Sequence, residues 1–153
     1  MSSEKMIALK KDEFKTYLLG VSDIGEISLD AVKNRIQYIE NLMESFGPPP
    51  SEGEFLLVVT NSKPSSWFPL ASNVFNIGRD KSSDIVLEDA KASRRHCQIR
   101  KDRGNWMIED RDSQNGIFIN GKKTTERLLC EGDIIRIGTI ELIYINNNNF
   151  PFK

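Results

Sequence analysis

One histidine, two cysteines and no long apolar run mark this 153-residue chain by what it has little of. Each shortage excludes a class of function. A single histidine and two widely separated cysteines, Cys97 and Cys130, cannot assemble the paired ligands of a zinc site. Two cysteines are also too few for a disulfide framework. Both stand in apolar, strand-like contexts and read as buried thiols in a reducing compartment. No run approaches the roughly 20 apolar residues that cross a bilayer. Residues 1–11 lack the apolar core and small-residue cleavage site of a signal peptide. The expectation is an intracellular protein, cytoplasmic with the nucleus also compatible, and without a membrane partner. The net charge of −1 leaves no basic excess for nucleic acid, because Arg94, Arg95, Arg100 and Lys101 are offset by Asp89, Asp102, Glu109 and Asp110. A Gly-rich phosphate loop is missing, as is a nucleophile with a base and an orienting carboxylate at matching spacing. We therefore expect no enzyme, no catalytic residue, no cofactor and no metal.

What is there changes character near residue 50. Phe14, Tyr17, Leu18 and Val21 recur at helical spacing, with Gly20 as a stop. Ser28 can cap a second helix by accepting from free backbone N–H groups. Leu29, Val32, Ile36, Ile39, Met43 and Phe46 then fall on one stripe, with Glu40 and Glu44 elsewhere, before Gly47 and Pro48 end the helix. This predicts a helical hairpin over residues 1–47. The stripe is too short to demand a coiled coil, so packing within the chain is favoured. A homodimer through residues 28–46 is the alternative. Pro48, Pro49 and Pro50 open a semi-rigid linker over 48–53.

Beyond the linker the period becomes that of strands. Strands are expected at 55–60, 74–77, 85–87, 96–101, 105–110, 117–119, 133–137 and 140–146, and residues 63–69 read as a loop with Trp67 and Phe68 packed over an edge. Gly104-Asn105, Asn115-Gly116, Asn120-Gly121, Gly132-Asp133 and Gly138-Thr139 supply the turns. Many short strands with no helix between them argue for an antiparallel sandwich. Residues 147–153, rich in asparagine, read as a flexible tail.

Three groups sit where strands give way to turns: Ile77-Gly78-Arg79, Ser93-Arg94-Arg95-His96 and Ser113-Gln114-Asn115-Gly116. They offer guanidinium groups, a hydroxyl and an amide, the donors an anion such as phosphate needs. Each has a plain explanation alone. Arg79 could sit in a surface ion pair, His96 could be a buried, hydrogen-bonded residue, and Asn115-Gly116 is a strong hairpin signal.

The combination is more specific. Gly78-Arg79, Ser93-x-x-His96, Asn115-Gly116, Asn120-Gly121 and the run Gly132 to Gly138 together resemble the forkhead-associated (FHA) domain family over about residues 54–146. The resemblance implies a mainly β fold, an FHA-type antiparallel sandwich of about eleven strands. It implies a non-catalytic module that binds phosphothreonine in a partner protein, downstream of a Ser/Thr kinase. By the same resemblance, Arg79 and Ser93 hold the phosphate with Arg94 beside it. Asn115 grips the peptide backbone next to Gln114, and Gly78, His96 and Gly116 shape the loops. Lys91 faces the third residue after the phosphothreonine and would favour an acidic one. Two positions depart from the family pattern, Gln114 and Ile117, where a serine or threonine is common. The alternative function is a phosphate-independent scaffold using the helix and the sandwich surface. Thr16, the lone threonine before the β region, is a site where a phosphorylated N-terminus could fold back on the domain, although its setting reads as a helix interior.

Overall fold

The computed structural model describes residues 29–148. The first expected helix, the Ser28 cap, Thr16 and the end of the tail lie outside the described residues. The chain divides into two compact units, and residues 51–148 form one of them. The described part of the other begins with helix α1, Leu29–Phe46. Val32, Ile36, Ile39 and Met43 of the expected stripe are buried, whereas Leu29 and Phe46 at the two ends are exposed. Leu42 and Glu40 are buried as well, a correction to the narrower stripe. They stand three and four residues from Ile39 and Ile36, so the covered face is wider than one row. Gly47, at a φ of 93°, donates its N–H to the Met43 carbonyl at 2.7 Å and stops the helix. No helix among the described residues is long and apolar enough to cross a membrane.

The β unit holds eleven strands in chain order: β1 Glu54–Thr60, β2 Lys63–Pro69, β3 Val74–Gly78, β4 Ile85–Val86, β5 Cys97–Asp102, β6 Asn105–Asp110, β7 Ile117–Ile119, β8 Lys122–Thr124, β9 Glu126–Leu128, β10 Ile134–Ile137 and β11 Ile140–Asn146. They form a six-stranded sheet, β2-β1-β11-β10-β7-β8, and a five-stranded sheet, β4-β3-β5-β6-β9. One apolar core joins them. Leu56, Ile117, Ile119, Ile135, Ile137 and Leu142 come from the first sheet; Phe75, Ile77, Ile99, Trp106 and Ile108 come from the second. Alternation positions these residues: in β5, Cys97 and Ile99 are buried while Gln98 and Arg100 are half-buried. The fold is the mainly β sandwich that the strand spacing implied.

Four readings change. Residues 63–69 are a strand, not a loop, and pair antiparallel with β1. Two prolines disguised it, and a strand that contains proline is tolerated because β2 is at the sheet edge. The turn before it, Asn61-Ser62, has φ of 52° and 61°, so it is a two-residue hairpin of the type that asparagine-glycine usually announces. Second, β8 and β9 were not expected, because three residues each with mostly exposed side chains carry no apolar alternation. Third, β3 and β4 are parallel rather than antiparallel. The loop between them clips back onto β3: Asp84 donates its N–H to the Asn76 carbonyl at 2.8 Å, and its carboxylate accepts the Asn76 N–H at 2.7 Å. Last, Cys97 is buried but Cys130, in the turn before β10, is only half-buried.

Candidate functional site

The three residue groups meet where loops β3–β4, β4–β5 and β6–β7 converge. Gly78 sets the approach of the first two. A Cβ built there would overlap the Arg94 carbonyl oxygen and stand 2.8 Å from its carbon and 3.0 Å from the His96 nitrogen. Without a side chain at 78, β3 lies directly against the segment that carries Ser93. The Arg79 N–H donates to the Ser93 carbonyl at 2.9 Å, the Asp80 N–H to the Arg94 carbonyl at 3.1 Å, and the His96 N–H to the Ile77 carbonyl at 3.0 Å.

The exposed Arg79 is aimed by one bond: its Nε–H donates to the Ala92 carbonyl at 3.0 Å. The surface ion pair that Arg79 suggested in isolation is not formed among the described residues. Its two terminal nitrogens are left for an external acceptor, the arrangement that suits bidentate binding of an oxyanion. The Ser93 hydroxyl oxygen accepts the Gln114 N–H at 3.0 Å, leaving its hydrogen to donate. The site role of Gln114 inside the protein is therefore a main-chain one, and its side chain is exposed. Arg94 and Arg95 are exposed on the same loop. They face Asp80, whose carboxyl is held below its usual value first by hydrogen bonds with Ser82 and then by the nearby charges of Arg95 and Arg94.

His96 is fully buried and locks two loops together. Its Nδ1 accepts the Ser93 N–H at 3.0 Å, so Nε2 carries the proton and donates to the Gly116 carbonyl at 2.8 Å. A histidine so used is a neutral strut between the serine loop and the asparagine loop. Asn115-Gly116 is not a hairpin turn, because it lies on the crossing from β6 in one sheet to β7 in the other. Gly116 has a φ of 79°, and its N–H donates to the Ser113 hydroxyl at 2.9 Å. Ser113 in turn bonds Asp110 at 2.5 Å. The Asn115 amide donates to the Lys91 carbonyl at 2.8 Å, leaving its oxygen and second N–H outward. Lys91 thus enters the site through its backbone, while its side chain is exposed.

The sequence reading missed the carbonyls of Lys91 and Ala92 and the support from Asp89, and it singled out the Ser113 group without the bonds by which Ser113 braces Gly116. Backbone acceptors have no residue-type signature. The one signal Asp89 offered was its residue type, since an aspartate in a turn commonly accepts the N–H two residues on, as it does here from Lys91.

Comparison with known proteins places this geometry among relatives. The family model "FHA domain" matches residues 75–138. The Oxoglutarate dehydrogenase inhibitor of Corynebacterium jeikeium is 35% identical over 98 residues, 63% of this chain and 68% of that protein. The Glycogen accumulation regulator GarA of Mycobacterium tuberculosis is 34% identical over 100 residues, 65% of this chain and 60% of that protein. Among solved structures, one described by phosphothreonine-dependent FHA domain interactions has a TM-score of 0.54 and 30% identity, covering 60% of this chain and 95% of its own. The FhaA FHA domain complexed with the intracellular domain of Rv3910 has a TM-score of 0.55 and 32% identity, covering 60% and 99%.

Proposed function

The chain belongs to the FHA domain family, and from that premise we propose that Arg79 and Ser93 receive the phosphate of a phosphothreonine while Asn115 holds the backbone of the peptide that carries it. The function is phosphothreonine-dependent protein recognition in Ser/Thr kinase signalling. One observation carries the site assignment. The Arg79 guanidinium is aimed by the Ala92 carbonyl and joined through its backbone to Ser93, with its terminal nitrogens unengaged. A phosphate bearing nearly two negative charges there accepts several charge-assisted hydrogen bonds. Arg94 adds a flanking cation, Gln114 lies beside the phosphate, and Lys91 biases the peptide toward an acidic residue.

On this reading the module is non-catalytic, and its relatives are named as an inhibitor and a regulator. Its partner is a protein phosphorylated by an upstream kinase inside the cell, not nucleic acid or a membrane. Residues 54–146 carry the function, joined through linker 48–53 to the helical segment.

The test is calorimetry with degenerate phosphothreonine peptides and their unphosphorylated counterparts. The wild type should prefer the phosphorylated set, and Arg79→Ala should weaken binding at least about tenfold, the loss of one or two charge-assisted bonds. Arg79→Lys should not restore it, since an ammonium lacks the planar fork. Full affinity in a folded Arg79→Ala protein would remove the assignment.

A further inference from the structure

Three consecutive carbonyl groups hold the polar groups of the peptide site. The Lys91 carbonyl accepts from the Asn115 amide at 2.8 Å, the Ala92 carbonyl from Arg79 Nε at 3.0 Å, and the Ser93 carbonyl from the Arg79 N–H at 2.9 Å. Residues 91–93 belong to no strand. The Ser93 N–H is held by His96, and the first two of these residues are held by Asp89. Its carbonyl accepts the Ala92 N–H at 3.0 Å, and its Oδ1 accepts the Lys91 N–H at 2.8 Å. Its Oδ2 accepts both the Thr139 N–H at 2.9 Å and the Thr139 hydroxyl at 2.5 Å.

Thr139 lies in the turn between β10 and β11, in the six-stranded sheet, 50 residues along the chain from Asp89. The turn is shaped to receive the carboxylate. A Cβ on Gly138 would stand 2.8 Å from Asp89 Oδ2 and 2.9 Å from the carboxyl carbon. A negative charge near a phosphate site would ordinarily oppose binding. Here three donors engage the carboxylate: Oδ1 takes the Lys91 N–H, and Oδ2 takes the N–H and hydroxyl of Thr139.

We propose that Asp89 is a positioning residue for phosphopeptide binding, coupling the Gly138–Thr139 turn to the orientation of Arg79 and Asn115. The proposal rests on the function assigned above. It makes the β10–β11 turn, which carries no ligand group of its own, a second point from which affinity is set.

The experiment uses the full chain. A phosphothreonine peptide selected on the wild type from a degenerate library is titrated beside its unphosphorylated twin. Thr139→Val removes one donor and keeps the side-chain shape, and should weaken phosphopeptide binding about threefold; Asp89→Asn, which loses the charge and one acceptor, should weaken it about tenfold. Ser65→Ala, on edge strand β2, removes a comparable hydroxyl bond, to the Val58 carbonyl of β1, and should change nothing. In an Asn115→Ala background the effect of Thr139→Val should shrink, because coupled groups are not additive. In the free protein the NMR signals of the Asn115 side-chain amide and Arg79 Nε–H should move on Thr139→Val and stay on Ser65→Ala. A wild type that treats the two peptides alike overturns the proposed function, and the two NMR signals, read without peptide, then decide the coupling. A selective wild type whose affinity is unaltered by Thr139→Val and Asp89→Asn, or whose two signals do not move, overturns the coupling alone.

Discussion

At the scale of single residues, chemistry was easier to read than partnership. His96 was expected to be a buried, hydrogen-bonded residue, and it is, because a histidine entering an apolar strand needs both ring nitrogens engaged. Which loops it joins could not be read, since its partners are a backbone N–H and a backbone carbonyl 20 residues away. Cys97 shows burial acting on a thiol: desolvation, with a smaller contribution from Asp110, drives its pKa well upward. Asp89 shows the opposite. The Thr139 hydroxyl, the Thr139 N–H and the Lys91 N–H hold its carboxyl down from 3.8 to about 2. Between those values the unfolded chain binds more protons than the folded one. This contribution to stability is therefore complete above about pH 4 and is lost as the pH falls toward about 2. With allowance for solvent screening it is on the order of 1 kcal/mol. Urea midpoints at about pH 5 and about pH 2.5 should accordingly converge more in Asp89→Asn than in the wild type. An identical pH response in the two proteins would count against the hydrogen-bonded carboxylate.

At the scale of elements, close approach matters as much as pattern. Gly78 ends β3 where the Arg94 carbonyl passes. Its φ is ordinary, so space and not backbone freedom demands glycine. Gly78→Ala should push β3 from the serine loop, costing about 1–3 kcal/mol by overpacking, and should weaken phosphopeptide binding through Arg79 and Ser93. Chemical denaturation and a peptide titration on the same variant check both effects; a variant as stable and as tight-binding as the wild type would show that the loops are not in register through this contact. The elements that escaped the sequence reading share a cause. β2, β8 and β9 have few buried side chains, and alternation reveals a strand only when one face is covered. By contrast, the Asn120-Gly121 turn was legible because the pair of left-handed residues needs that chemistry.

At the scale of the whole molecule, the site and the helix belong to different compact units. Arg79, Ser93 and Asn115 all fall within residues 51–148, and α1 does not. Ile36 is 1% exposed, so an aspartate there would bury an unpaired carboxylate. Ile36→Asp should strip hydrogen-exchange protection from amides 29–46 while leaving phosphopeptide affinity within about twofold, as sites that do not couple behave. A large fall in affinity would show that the helix unit supports the site. The sequence by itself determined the mainly β class, the helix before the prolines, and the residue types available to a phosphate, because periodicity and side-chain chemistry are local. Only the tertiary structure decided the two-sheet order, the parallel β3–β4 pair and the crossing that turns Asn115-Gly116 from a hairpin signal into a loop between sheets. It alone decided that Asp89 reaches Thr139 and that the carbonyls of Lys91 and Ala92 aim Asn115 and Arg79. Those are contacts between chemically uniform backbone groups or between residues far apart in the chain, and only closure of the sandwich brings them together.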